Sequence, residues 1–333
     1  MSGEPRPGWK NLLQGTARVL RAPIYLLALV TITVMAVLPQ FFGTQYFALS
    51  LVFATIYITL ALAWDLSSGL TGYISFGLPF FFGLGAMATG YSYYHGVGGS
   101  FSLLAIDFGV GLLGGLLFAL PTLRLRGPFF TLLSLLLPLI AASFVVAFWQ
   151  VLHMPTIGYI GIPFLAPSPQ AELPILSVTT AAVLTVSFLL RRSHFGLVLR
   201  AIRDDEDAVE SKGIRTLPYK VAVFSFASGI AAFAGGTYAM TTSFGGIDSF
   251  DFQFLIYPML IAIVGAAIVR GGLGGIVGSV FAGYAIILFS QYLTLPEFNL
   301  QELTLPIFAF VAILLVLFLP SALGRPSGPR EAS

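Results

Sequence analysis

Long apolar runs separated by short polar segments dominate the chain. Ten runs approach the ~20 residues that cross a hydrocarbon core as a helix: 24–41, 46–64, 73–94, 101–120, 129–151, 173–190, 221–242, 252–269, 273–292 and 303–319. The pattern predicts an all-α polytopic membrane protein of about ten transmembrane helices. One polar interruption is much longer than the rest. Residues 191–220, RRSHFGLVLRAIRDDEDAVESKGIRTLPYK, carry seven basic and five acidic side chains. Charges at the bilayer centre cost a few kcal/mol or more each, so this block belongs in water.

The block has helical form. Gly196 opens it, LVLRAIRDDEDAVESK runs on without Gly or Pro, and Gly213 followed by Pro218 marks a stop. Val198, Ala201, Ile202, Ala208 and Val209 fall near helical spacing, although Asp205 interrupts the stripe. The reading is a short amphipathic helix lying along the membrane. A solvated loop that only joins two spans is the alternative.

Composition agrees with a membrane body: 57% hydrophobic residues, 9% charged and a mean hydropathy of +0.93 over 333 residues, where a soluble domain carries about 25% charge. Placement of charge gives an expected orientation. With the N-terminus inside and the spans alternating, the inner segments are 1–23, 65–72, 121–128, 191–220, 270–272 and 320–333, and these hold all 16 Lys and Arg. The outer connections hold Glu172, Asp248, Asp251, Glu297 and Glu302 and no basic residue. The positive-inside rule then puts both termini and the 191–220 block in the cytoplasm. The expected organisation is a cytoplasmic segment 1–23, a transmembrane body 24–319 with the cytoplasmic loop 191–220, and a cytoplasmic tail 320–333. No small-residue cleavage site follows the first span, which is read as retained.

Glycine and proline are frequent within the spans. Gly111-x-x-x-Gly115, Gly271-x-x-x-Gly275 and Gly274-x-x-x-Gly278 allow close helix contact, within one subunit or across a dimer seam. The proline-rich outer loop 153–174 reads as linker or ordered cap.

The missing chemistry narrows the function. There are no cysteines, and His95, His153 and His194 are far apart in sequence, so no metal site is expected. Lys10, Lys212 and Lys220 follow Trp, Ser and Tyr, so no Gly-Lys-Ser/Thr phosphate loop exists. Any ATP that drives this chain binds elsewhere. No nucleophile–base set lies on one expected face, and the basic residues follow membrane sidedness rather than a nucleic-acid footprint. Asp107 is the one acid well inside a span; it is a candidate proton site for an autonomous carrier, or a hydrogen-bonded structural group.

Four stretches resemble the LivM-type permease subunits of branched-chain amino acid ABC importers: residues 60–89 (LALAWDLSSGLTGYISFGLPFFFGLGAMAT), 123–135 (LRLRGPFFTLLSL), 193–214 (SHFGLVLRAIRDDEDAVESKGI), which leads into FSFASGIAAFAGGTYA, and 270–283 (RGGLGGIVGSVFAG). Two departures stand out. Leu78 and then Pro79 occupy the place where the family often has His or Gln after Ser-x-Gly, and Ser279 stands where it has Pro. The resemblance implies a pairing with a second related permease, two cytoplasmic ATPase subunits that carry ATP and Mg, and an external substrate-binding protein, in the inner membrane of a prokaryote. This chain would itself bind no cofactor. Gly196, Arg200, Ala201, Ile202, Arg203, Asp204, Asp205, Glu206 and Gly213 would form the ATPase-coupling helix, and Ser75, Phe76, Gly77, Gly83 and Gly85 would sit near the translocation path. The solute would be leucine, isoleucine or valine, or another small polar compound such as urea or a short amide.

Overall fold

The computed structural model describes residues 23–42, 44–123, 125, 128–151, 158–269, 274–293, 306, 307 and 310. Apart from 306, 307 and 310, the tenth expected span lies outside the described residues, as do the 270–272 connection with Gly271 and both chain ends. The helices are α1 (Pro23–Phe42), α2 (Gln45–Trp64), α3 (Leu78–Tyr94), α4 (Ser100–Thr122), α5 (Pro128–Phe148), α6 (Pro169–Arg192), α7 (His194–Asp204), α8 (Glu206–Ser211), α9 (Thr216–Thr242), α10 (Gln253–Ile268) and α11 (Gly274–Leu293). Two short strands, β1 (Gly158–Ile160) and β2 (Phe244–Gly246), complete the order. Among the described residues, eight spans are long and apolar enough to cross a membrane.

The helices α2 and α9 are apolar all round and are the most enclosed of these spans, as expected of helices with neighbours on every side. On one flank α9 packs against α4 and α3, while α2 packs against α6 and α11, and α10 joins α11. Small residues allow the first of these contacts. A Cβ on Gly111 would lie 2.6 Å from the Ser228 carbonyl, and one on Gly115 2.6 Å from the Ser228 side chain. Gly265 and Gly278 meet in the same way between α10 and α11. These glycine contacts are made within the chain, as close-packed membrane helices require. Outward faces of α1, α4 and α5 expose Leu27, Leu117 and Ile140, which suits hydrocarbon surroundings.

The bundle has two unlike ends. At one, β1 pairs antiparallel with β2 in the register Gly158↔Gly246, Tyr159↔Gly245 and Ile160↔Phe244. The Ser243 hydroxyl donates to the Ile162 carbonyl at 2.7 Å, and Ser168 caps α6, which starts four residues before the expected span at 173. From Gly158 onward the 153–174 loop is thus an ordered cap and not a linker. At the other end lie the charges of 191–220, and we call it the charged end.

Two sequence expectations change there. The third span does not begin at 73: α3 starts at Leu78 and has 17 residues, because 72–77 is not helical. The amphipathic helix is two helices. Ser193, not Gly196, opens the first, accepting from the Gly196 N–H at 3.2 Å. Asp205 is extended (φ −161°, ψ 101°) and caps the second, its carboxylate accepting from the Ala208 N–H at 3.0 Å. An Asp side chain that competes for a backbone donor favours such a break. It is the residue that interrupted the apolar stripe.

Candidate functional site at the charged end

Past Trp64, α2 widens into one π-turn, Asp65–Gly69, a local form frequent at functional sites. The chain reverses at Gly72, whose φ of +76° suits glycine, and has no regular secondary structure from there to Gly77. We call 72–77 the strap. Unwound backbone at membrane depth survives only where the protein supplies its hydrogen bonds, and here side chains do so. The Ser75 N–H donates to Ser68 Oγ (3.0 Å) and the Phe76 N–H to Ser134 Oγ (2.9 Å). The Ser75 carbonyl accepts from Trp64 Nε1 (3.0 Å), and the Ile74 carbonyl from Thr131 Oγ1 (2.9 Å).

The two short helices fasten to this strap. Glu206, the first residue of α8, is the hub: Oε1 accepts from Lys220 Nζ (2.6 Å) and Thr216 Oγ1 (2.7 Å), and Oε2 from the Tyr73 hydroxyl (2.5 Å). Lys220 also donates to the Tyr73 hydroxyl (3.2 Å) and to the Leu123 carbonyl at the end of α4 (3.3 Å), and its ammonium lies 4.5 Å from the Tyr73 ring centroid. Side-chain exposure is 3% for Lys220 and 13% for Glu206. Burial alone would push the Glu206 carboxyl up, but hydrogen bonds from Lys220, Tyr73 and Thr216, with the Lys220 charge, outweigh it and hold the group below its ordinary value. Arg203, in the last turn of α7, donates to the Gly69 carbonyl at 2.8 Å and lies over Gly72. Asp65 of the π-turn pairs with Arg191 at the end of α6.

The expected coupling residues therefore divide in two. Arg203 and Glu206 reach into the chain's own body; Ile202 is buried, and Arg200 folds back on the Arg191 carbonyl at 3.1 Å. Gly196 is wedged against the end of α6, where a Cβ would sit 2.8 Å from Arg191 Cα. Ala201, Asp204, Asp205 and Gly213 are exposed, and Gly213 (φ +82°) turns the chain back toward α9.

The expected path residues divide as well. Ser75, Phe76 and Gly77 form the strap, and Ser75 lines a constriction of about 10 Å³, room for about one water, together with Trp64, Ser67, Leu78, Phe81 and Ser228. Gly83 lies against the Phe250 ring and Gly85 against the Ala232 backbone; both are helix-packing positions. Asp107 is fully buried in the seam of α3, α4 and α9, accepting from Thr89 Oγ1 at 2.6 Å beneath Gly236. It lines none of the cavities described here.

The family model described as branched-chain amino acid transport system / permease component matches residues 46–320. The chain belongs to this family. Its relatives include the high-affinity branched-chain amino acid transport system permease proteins LivM of Salmonella typhimurium and Escherichia coli, each 24% identical over 298 residues, covering 80% of this chain and 67% of the relative. No solved structure matches the chain. It is a multi-pass membrane protein of a transporter family, and its relatives are permease components rather than enzymes.

For this permease-family chain, sequence reasoning missed Tyr73, Thr216, Lys220 and the Asp65–Arg191 pair as members of one site. A signal existed. Lys220 stands at the foot of a long apolar helix, where a buried ammonium requires partners, and Glu206 is an acid 14 residues before it.

Proposed function

We propose that the chain is the membrane permease subunit of an ATP-driven ABC importer that carries branched-chain amino acids or a similarly small polar solute across the inner membrane of a prokaryote. It works with a second related permease, two ATPase subunits that hold ATP and Mg, and an external substrate-binding protein. The chain itself binds no cofactor. Both termini and the charged end face the cytoplasm, with 1–23 and 320–333 flanking the permease body 24–319.

One observation carries the reading: α7 and α8 form a folded unit that presents one face to the bundle and another to solvent. Leu199, Ile202 and Val209 seat the unit, while Ala201, Asp204, Asp205 and Lys212 remain exposed for a partner. A short helical projection of this kind suits a helix-in-groove contact. The absence of a Gly-Lys-Ser/Thr loop assigns the nucleotide to another chain, and the names of the relatives support the solute class. ATP binding on the partners would favour one arrangement of the α7–α8 unit and so one access state of the bundle.

The test is uptake by proteoliposomes that contain this chain with or without its partners. We expect solute accumulation only with the ATPases, the second permease and ATP present, and co-purification of the ATPases from native membranes. Uptake by this chain alone under a proton gradient would refute the assignment.

A further inference from the structure

The strap has an unusual pair of attachments. Its first half is tied to the α7–α8 unit: Gly72 lies beneath Arg203, where a Cβ would be 2.9 Å from Arg203 Cγ, and Tyr73 donates to Glu206. Its second half belongs to the interior, since Ser75 lines the constriction and Gly77 leads directly into α3. Only Ile74 separates Tyr73 from Ser75, at most about 7 Å of chain. No helix or loop lies between the outer unit and the constriction to absorb a displacement. Each tie also rests on a polar side chain.

We propose that Tyr73 and Lys220 are positioning residues for transport: acting through Glu206, they fasten the strap to α7–α8, so that movement of this unit shifts Ser75 and opens or closes the constriction. The inference rests on the function proposed above. Lys220 holds Glu206 and Tyr73 together while anchoring both to α9 and to the end of α4. Tyr73 transmits the displacement. Glu206 is the pin between the body and the partner-facing helices.

A chain without cysteine allows a direct readout. Complexes carrying Ser75→Cys are reconstituted, and the alkylation rate of that thiol is measured with and without ATP, beside ATP hydrolysis and solute uptake. The variants are Tyr73→Phe, which keeps the ring over Lys220, Glu206→Gln, and the charge-exchanged pair Glu206→Lys with Lys220→Glu. We expect ATP to change the alkylation rate in the parent. In Tyr73→Phe and Glu206→Gln, hydrolysis continues, the response to ATP is lost, and solute moved per ATP falls about tenfold, the equivalent of one charge-assisted hydrogen bond. The exchanged pair regains part of the response. An undiminished response and uptake in both single variants would overturn the proposal, as would an exchanged pair that regains stability but no response, which is the result a mere staple would give. A parent complex with no ATP-driven uptake would instead refute the function on which the proposal rests.

Discussion

Replacing Gly85 with alanine tests whether the α3–α9 seam is packing or path. The two helices touch through backbone at two points one turn apart. A Cβ on Gly85 would lie 2.5 Å from the Ala232 carbonyl carbon and 2.7 Å from its Cα, and a Cβ on Gly235 would lie 2.7 Å from the Phe82 carbonyl carbon. Ordinary Cβ contacts begin near 3.4 Å. The obstacle is main chain within helices, so no side-chain rotation relieves it, and the axes must separate by roughly 1 Å. Overpacking of this kind costs about 1–3 kcal/mol, and separation also loosens the contact at Gly235. Gly85→Ala is expected to lower the thermal unfolding midpoint of the purified chain in detergent or nanodiscs by several degrees, while the apparent KM for solute in surviving complexes stays unchanged. Gly83→Ala, facing the ring of Phe250, is expected to do less harm because a side chain can yield. A Gly85→Ala protein with parental stability and an altered KM would refute the packing argument and return Gly85 to the path.

Other outcomes follow from the buried polar groups. Asp107→Asn retains an acceptor for Thr89 and is expected to keep stability and ATP-driven uptake, whereas Asp107→Leu strands the Thr89 hydroxyl and loses about 1–3 kcal/mol; a folded Asp107→Asn protein that no longer transports would favour a proton site. Glu206 titrates below its ordinary value of 4.5, so its contribution is complete above that value and is lost as pH falls through the depressed one. The stability difference between the parent and Glu206→Gln, from thermal unfolding, should be constant near neutrality and shrink only well below pH 4.5. Arg203→Ala and Asp204→Ala should part company: the first removes the contact to Gly69 and destabilises the chain alone, while the second touches the exposed face and weakens only ATPase association, as measured by co-purification.

Much of the membrane body was legible because its driving pattern is one-dimensional. A run of apolar residues must span or be buried, and eight of the ten runs appear as spanning helices among the described residues. The 73–94 run failed for a reason that hydropathy does not register. Tyr73, Ile74 and Phe76 are as apolar in the strap as in a helix, and what unwinds them is Gly72 and hydroxyls at Ser68, Thr131 and Ser134, two of which lie in another helix. The break at Asp205 was half visible, as a charge out of phase. The hub at Glu206 was hidden because its partners come from 73, 216 and 220. Sequence reading took the charges of 191–220 as one solvated surface, but tertiary packing turns Glu206 and Lys220 inward together.

The departure at Leu78 and Pro79 bears on what the constriction does. Pro79 sits in the first turn of α3, where its missing N–H would have had no helical partner. Leu78 adds an apolar wall where the resemblance leads one to expect a polar residue. The hydroxyls beside it are already committed: Ser67 and Ser228 donate to carbonyls of their own helices, and Ser75 accepts from the Gly77 N–H. With its polar atoms satisfied from within and room for about one water, the constriction makes no demand for a solute. Leu78, Phe81 and Phe224 give it an apolar lining; under the proposal above, it would open only when one wall moves. The strap is the wall outside the helices; moving it costs the side-chain hydrogen bonds that hold it and the packing of Tyr73 on Phe130, and its outer end is the one tied to Glu206.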